Sequence, residues 1–189
     1  SAILHDIGAL KLQQLPDAED LDDGTKEVVK KNTQETLARY GDLDEEVLRL
    51  IAQMQELYTR ESDAEIPAGL KESVNANILY VADAYDRMTA MKSFEEPTSE
   101  VKAVRELLAD EERYNKKIVN ALIHGISILY PGVCVELSNG EKGLVITGNE
   151  ENIFEPTVLD FRNNNLYDLS DPSVKQTVEI ADVMKTMDN

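Results

Sequence analysis

Residues 129–143 read LYPGVCVELSNGEKG, and the pattern of the chain changes where they begin. Upstream of Tyr130-Pro131-Gly132, apolar residues recur at helical spacing; downstream, short β-rich runs alternate with turns. Inside the stretch, Asn139-Gly140 stands between two β-rich runs, and this dipeptide supplies the positive φ angles of a tight hairpin turn. Further strands are expected in EPTVLDF (155–161), LYDL (166–169) and TVEIADV (177–183), separated by Asn-rich or Pro-containing turns. Five short strands predict a small antiparallel sheet or barrel. The fold class expected is α+β, with an all-α helical bundle over 1–129 followed by a β-rich module over 130–189.

Composition narrows the function classes. Of 189 residues, nineteen are Lys or Arg and thirty-seven Asp or Glu, a formal charge of −18 that repels a phosphodiester backbone and an anionic membrane surface. A nucleic acid polymer and a membrane are therefore not expected as partners. Cys134 is the single cysteine, which excludes an internal disulfide, and no apolar run approaches the roughly 20 residues of a membrane span. The first residues show no basic region leading into a hydrophobic core, so nothing marks a signal peptide and the cytosol is the expected compartment.

In the helical part, SAILHDIGAL (1–10) reads as the end of a helix whose beginning precedes the chain. DAEDLDD (17–23) is an acidic loop, and a mostly polar helix is expected from Lys26 to Arg39, ended by Gly41. Asp42, with Glu45 three positions on, reads as a capping box. It opens a helix with Leu43, Val47, Leu50, Ile51, Met54, Leu57 and Tyr58 on one face, a core stripe. After Pro67 and Gly69, VNANILYVADAYDRMTAM (74–91) is apolar nearly all round, as for a central helix packed on several sides. Ser99 caps a helix to about Asp110, and the last helix runs from Tyr114 to Leu129. His124 on that helix has no Cys, Asp or His at ligand spacing and is expected as a packed or partly exposed helix residue.

Two features of the helical part carry chemistry. His5 and Asp6 adjoin, and their side chains diverge by about 100 degrees on a helix, yet both can reach a cation if other helices close the far side. Asp83 and Asp86 lie on one face of the central helix, where a buried carboxylate is costly unless paired, hydrogen-bonded or bound to a cation. One of the two is expected to have a strong partner, and Asp83 is the natural third ligand beside His5 and Asp6.

ILHDIG (3–8), followed about 75 residues later by ILYVADAYDRMTAMKSF (78–94) and then by a Ser-initiated helix, resembles the HD-GYP branch of the HD superfamily of metal-dependent phosphohydrolases. The β-rich tail is similar to an extension often appended to such domains. The resemblance implies cyclic di-GMP phosphodiesterase ancestry in bacterial signalling. It also implies a metal site taking His5, Asp6, Asp83 and an upstream histidine that would lie before residue 1. The further family histidines are replaced: Asn32 in KKNTQ (30–34) stands at one position, and QMQELYTRESDAEIPAGL (53–70) contains none. Of the branch's signature only Pro67, Gly69, Leu70 and Lys71 correspond, with Glu65 and Ile66 at its Gly-Tyr, and Lys92 stands at the position of a phosphate-meeting arginine. Lys71 and Lys92 are accordingly the candidate phosphate contacts. Losing the imidazoles empties the second and any third metal site, because amide and thioether groups bind hard cations poorly.

Three functions are compatible with these residues. The leading expectation is a divergent, catalytically impaired signalling domain acting as a regulatory or binding module, with a cyclic dinucleotide or other phosphate ester as ligand. An alternative is a phosphohydrolase with one residual His/Asp site holding a single divalent ion, Fe, Mn or Mg; the leading reading needs none. The other alternative is a structural oligomerisation platform. A homodimer or a protein partner bound through the β-rich module fits any of the three.

Overall fold

The computed structural model describes residues 3–12, 22–59, 66–91 and 96–184. Residues 17–21 of the acidic loop, Glu65 and Lys92 lie outside the described residues. The fold is α+β: among the described residues there are seven α-helices and a five-stranded antiparallel sheet. No described helix is long and apolar enough to cross a membrane. The chain forms two compact units, Ser1–Ala84 with Glu112–Asn115, and Tyr85–Glu111 with Lys116–Asn189. Helix gives way to strand near residue 130, whereas the division between compact units falls earlier, within the central helix. Composition and compactness thus partition the chain at different points.

The first unit begins with a turn over residues 3–6 and a 3-10 helix, Ile7–Lys11, in place of the expected end of an α-helix. Helix α1 (Asp23–Leu37) starts where the Asp22 carboxylate accepts the Thr25 amide at 2.8 Å and the Thr25 hydroxyl at 3.0 Å. Those bonds, the amide first, hold the Asp22 carboxyl below its ordinary value. Helix α2 (Glu45–Thr59) begins two residues later than the sequence suggested. Asp44, rather than Asp42, occupies the capping position and accepts the Glu46 amide at 2.7 Å. Both residues suit an N-cap, but Asp44 leaves Glu45 and Glu46 in the first turn, where the helix dipole favours acids. Ile51, Met54 and Leu57 form the buried stripe of α2, with Gln55 buried among them.

Helices α3 (Ala68–Lys71) and α4 (Val74–Thr89) follow. Buried Asn77 ties them together, its amide donating to the carbonyls of Leu70 and Ser73 at 2.8 and 2.9 Å. Ala76, Tyr80, Val81 and Ala84 are the buried side of α4. The expectation of packing on nearly all sides is corrected: Asn75, Ile78, Ala82 and Asp86, spaced three or four apart, form an exposed stripe, and Ile78 is 47% accessible. Within the unit, Tyr80 stacks on Tyr114 with centroids 5.5 Å apart and accepts a hydrogen bond from Arg113 Nε at 2.9 Å.

The second unit contains α5 (Glu100–Ala109), α6 (Lys116–Ile126), α7 (Pro172–Lys175) and strands β1 (Cys134–Leu137), β2 (Lys142–Thr147), β3 (Thr157–Asp160), β4 (Leu166–Asp168) and β5 (Ile180–Val183). Ser99 caps α5 as expected, accepting the Lys102 amide at 3.3 Å. The strand order is β4-β3-β2-β1-β5, so the last strand returns beside the first. Val135, Val145 and Val158 fill its inner face, with Leu137 and Ile180. Arg105 on α5 donates to the Ile180 carbonyl at 2.5 Å and lies over the Phe154 ring, which fastens helix to sheet.

The hairpin at Asn139-Gly140 forms, but with a different turn. Gly140 has φ +80°, while Asn139 is not among the positive-φ residues. The Gly140 amide donates to Leu137 O at 2.9 Å and the Leu137 amide to Glu141 O at 2.8 Å. That is a three-residue loop with glycine in the left-handed position, rather than the two-residue turn the dipeptide suggested. Asn139 instead uses its side chain, accepting the Glu141 amide at 3.0 Å and donating to the Glu141 carboxylate at 2.8 Å.

Candidate functional site

The HDIG turn is fixed by its glycine. A Cβ on Gly8 would lie 2.2 Å from Val29 O, 2.4 Å from Thr33 N and 2.6 Å from Thr33 Oγ1, so only glycine allows this approach to α1. The gap is used: the buried Gly8 amide donates to the fully buried Thr33 hydroxyl at 2.9 Å. Asn32 Nδ2 lies 3.5 Å from the Gly8 carbonyl, and Lys11 Nζ donates to the Asn32 carbonyl at 3.3 Å. From α2, Gln55 Nε2 donates to the His5 carbonyl at 2.9 Å. The backbone around His5 is therefore held from two helices.

Fixed in this way, the His5 imidazole meets α4. His5 Nε2 lies 3.4 Å from Asp83 Oδ1, with the two side chains 17% and 18% exposed. A partly desolvated carboxylate is stabilised by a polar or cationic neighbour, so this contact supplies the partner expected for one of the two α4 aspartates. Asp86 is exposed. Gln55 Oε1 is buried and has no hydrogen-bond partner among the described residues.

Asp6 does not join His5 and Asp83 in a cluster of ligating side chains among the described residues. Asp6 is exposed and occupies the N-cap position of the 3-10 helix without capping it through its side chain. Lys71 is exposed at the end of α3, and Lys92 is outside the described residues. Among the described residues no group of three or more His, Cys, Asp and Glu stands close enough to hold a metal ion. A divalent centre uses about three or four protein ligands, so His5 and Asp83 by themselves do not make one. The amides of Asn32 and Gln55, near the doublet's backbone, are poor substitutes for imidazole. His124 is an exposed residue of α6, in keeping with the sequence reading.

Chemically, the pair sets an imidazole, which can donate or accept a hydrogen bond, beside a carboxylate, which accepts. Thr33 and Gln55, which position it, were not singled out by sequence reasoning. Gln55 did leave a signal, because it is a polar residue one turn after Ile51 in the apolar stripe of α2. Thr33 left none, since an isolated threonine in a polar helix looks solvated. Scanned against protein-family models, curated proteins and solved structures, the chain matches none.

Proposed function

We propose that the chain is a divergent HD-type domain of cytosolic nucleotide signalling that acts as a binding or regulatory module, without the polynuclear phosphodiesterase chemistry of the HD-GYP branch. The observation that carries this reading is the set of side chains that contact the HDIG turn. His5 lies beside Asp83, and the side chains that contact the HDIG turn from α1 and α2 include the Thr33 hydroxyl and the amides of Asn32 and Gln55, while neither helix carries a histidine. Such a set can hold a hydrogen-bonding ligand, whereas activating water at a phosphodiester by two metals needs more imidazole and carboxylate. A cyclic dinucleotide is the ligand class that the resemblance suggests, and the −18 charge gives that assignment no support of its own.

The test uses the full chain. Metal content is measured after loading with Mn, Fe or Mg, turnover is followed on cyclic di-GMP and on bis-(p-nitrophenyl) phosphate, and cyclic di-GMP binding is followed by calorimetry. Saturable binding without turnover is expected. Stoichiometric metal with hydrolysis of either ester would replace this reading with the mononuclear phosphohydrolase. Neither binding nor turnover would leave the oligomerisation platform.

A further inference from the structure

The second unit contains a cleft of about 640 Å3 that none of the candidate residues above except His124 touches. It lies at the C-terminal end of α6, where the chain turns through Ser127 (φ +47°) into Leu129-Tyr130-Pro131. Its other wall is the loop after β2, from Gly148 to Ile153. Asn149 organises that loop: its Oδ1 accepts the amides of Glu151 and Asn152 at 2.9 and 3.1 Å, and its Nδ2 donates to Glu155 O at 3.2 Å. The loop is thus shaped by its own hydrogen bonds, as a preformed binding wall requires.

The lining is one-sided in charge. It includes the Glu150 carboxylate and no lysine or arginine, with His124 as its one basic side chain. The end of an α-helix presents carbonyl oxygens and the negative pole of its dipole, which favours a cation. Tyr130, 58% exposed, adds an aromatic ring on which a cation can stack. Ile123, Ile128 and Ile153 supply apolar surface for a hydrocarbon stem. The negative charge of the whole chain, −18, reinforces the attraction.

We propose that this cleft binds an organic cation, a guanidinium or ammonium group on a short apolar stem. The cleft is wider than one such group needs and leaves room for the rest of a larger molecule that carries it, and the carboxylate, helix end, ring and apolar surface correspond to the group's parts. The proposal is independent of the reading of the His5 site.

The experiment is a titration of the isotopically labelled full chain at pH 8, followed by amide chemical shifts. The probes are n-butylguanidinium, n-butylammonium, neutral n-pentanol and n-butyrate. The two cations are expected to produce saturable shifts confined to residues 123–131 and 148–153, with pentanol and butyrate producing none that saturate. Glu150→Gln, an exposed substitution, is expected to weaken butylguanidinium by about 3-fold or more, and Tyr130→Leu to weaken it by a similar factor. A Gly-Gly-Arg-Gly-Gly amide separates the sources: binding at least as tight as butylguanidinium assigns the site to an arginine of a partner protein, and weaker binding assigns it to a free amine or guanidine. Shifts spread over the acidic surface without saturation, equal shifts from pentanol, or no change in either variant would overturn the proposal.

Discussion

Gly8 and Thr33 approach each other more closely than any side chain on the glycine would allow, and the Gly8 amide donates to the Thr33 hydroxyl inside that gap. The atoms a Cβ would strike include backbone oxygen and nitrogen of α1, which cannot rotate away. Gly8→Ala is therefore expected to lower stability by about 1–3 kcal/mol, the cost of overpacking a tight contact. Thr33→Val keeps the shape but orphans a buried amide and is expected to cost about 1–3 kcal/mol, while Thr33→Ser keeps the acceptor and costs less. Urea unfolding of the three variants decides the matter. If Thr33→Val equals Thr33→Ser, the hydroxyl is not what holds the turn.

Gln55 donates to the His5 carbonyl, and its buried oxygen has no partner among the described residues. Gln55→Leu removes both at once, and because the two effects oppose each other the net change is expected to stay within about 1 kcal/mol. Gln55→Glu sets an acceptor against the His5 carbonyl and buries a charge, so it is expected to be the more damaging by about 2 kcal/mol. Thermal unfolding at neutral pH should rank wild type and Leu together above Glu. The reverse order would mean that the oxygen, and not the amide nitrogen, is the important end of this side chain.

How much of this could be read beforehand depended on the range of the interaction. The helical spacing of Ile51, Met54 and Leu57, the Ser99 cap and the β-rich runs after Gly132 are local signals, and each element appears where they point. The start of α2 moved because Asp42 and Asp44 are both good caps and only the surrounding packing chooses. The exposed stripe of α4 was illegible because Val74 and Ile78, 62% and 47% accessible, look like core residues in a one-dimensional pattern. The approach of His5 to Asp83 was anticipated from the order of two motifs, but the roles of Thr33 and Gln55 come from α1 and α2 and carry no short-range signature.

His5 and Asp83 should be energetically coupled. Both side chains are more than four-fifths shielded, so the interaction is less screened than a surface pair, although 3.4 Å is a long contact. A double-mutant cycle with His5→Ala and Asp83→Ala is expected to give a coupling of about 1 kcal/mol that changes little between 0.1 and 1 M salt, although the Debye length shortens from about 10 Å to about 3 Å. Additive single-mutant effects would show that the two groups are neighbours without interaction.

Asp182 on β5 links the sheet to the start of α5. Burial pushes its carboxyl up, but bonds from the Ser99 hydroxyl, Lys102 and the Val183 amide outweigh that and hold it below its ordinary 3.8. Lys102 Nζ lies 3.1 Å from Oδ2, and the Val183 amide donates to Oδ1 at 2.8 Å. A carboxyl lowered by folding stabilises the native state above its unfolded value, and that contribution is lost as pH falls through 3.8 toward the folded value. Asp182→Asn is thus expected to unfold at lower urea than wild type at pH 7, with the gap narrowing between pH 5 and pH 3. Lys102→Met should reproduce part of the loss, while Ser99→Ala should lose the α5 cap as well and fall further at every pH. A gap between wild type and Asp182→Asn that stays constant from pH 7 to pH 3 would mean that the residue contributes through its shape and not through its charge.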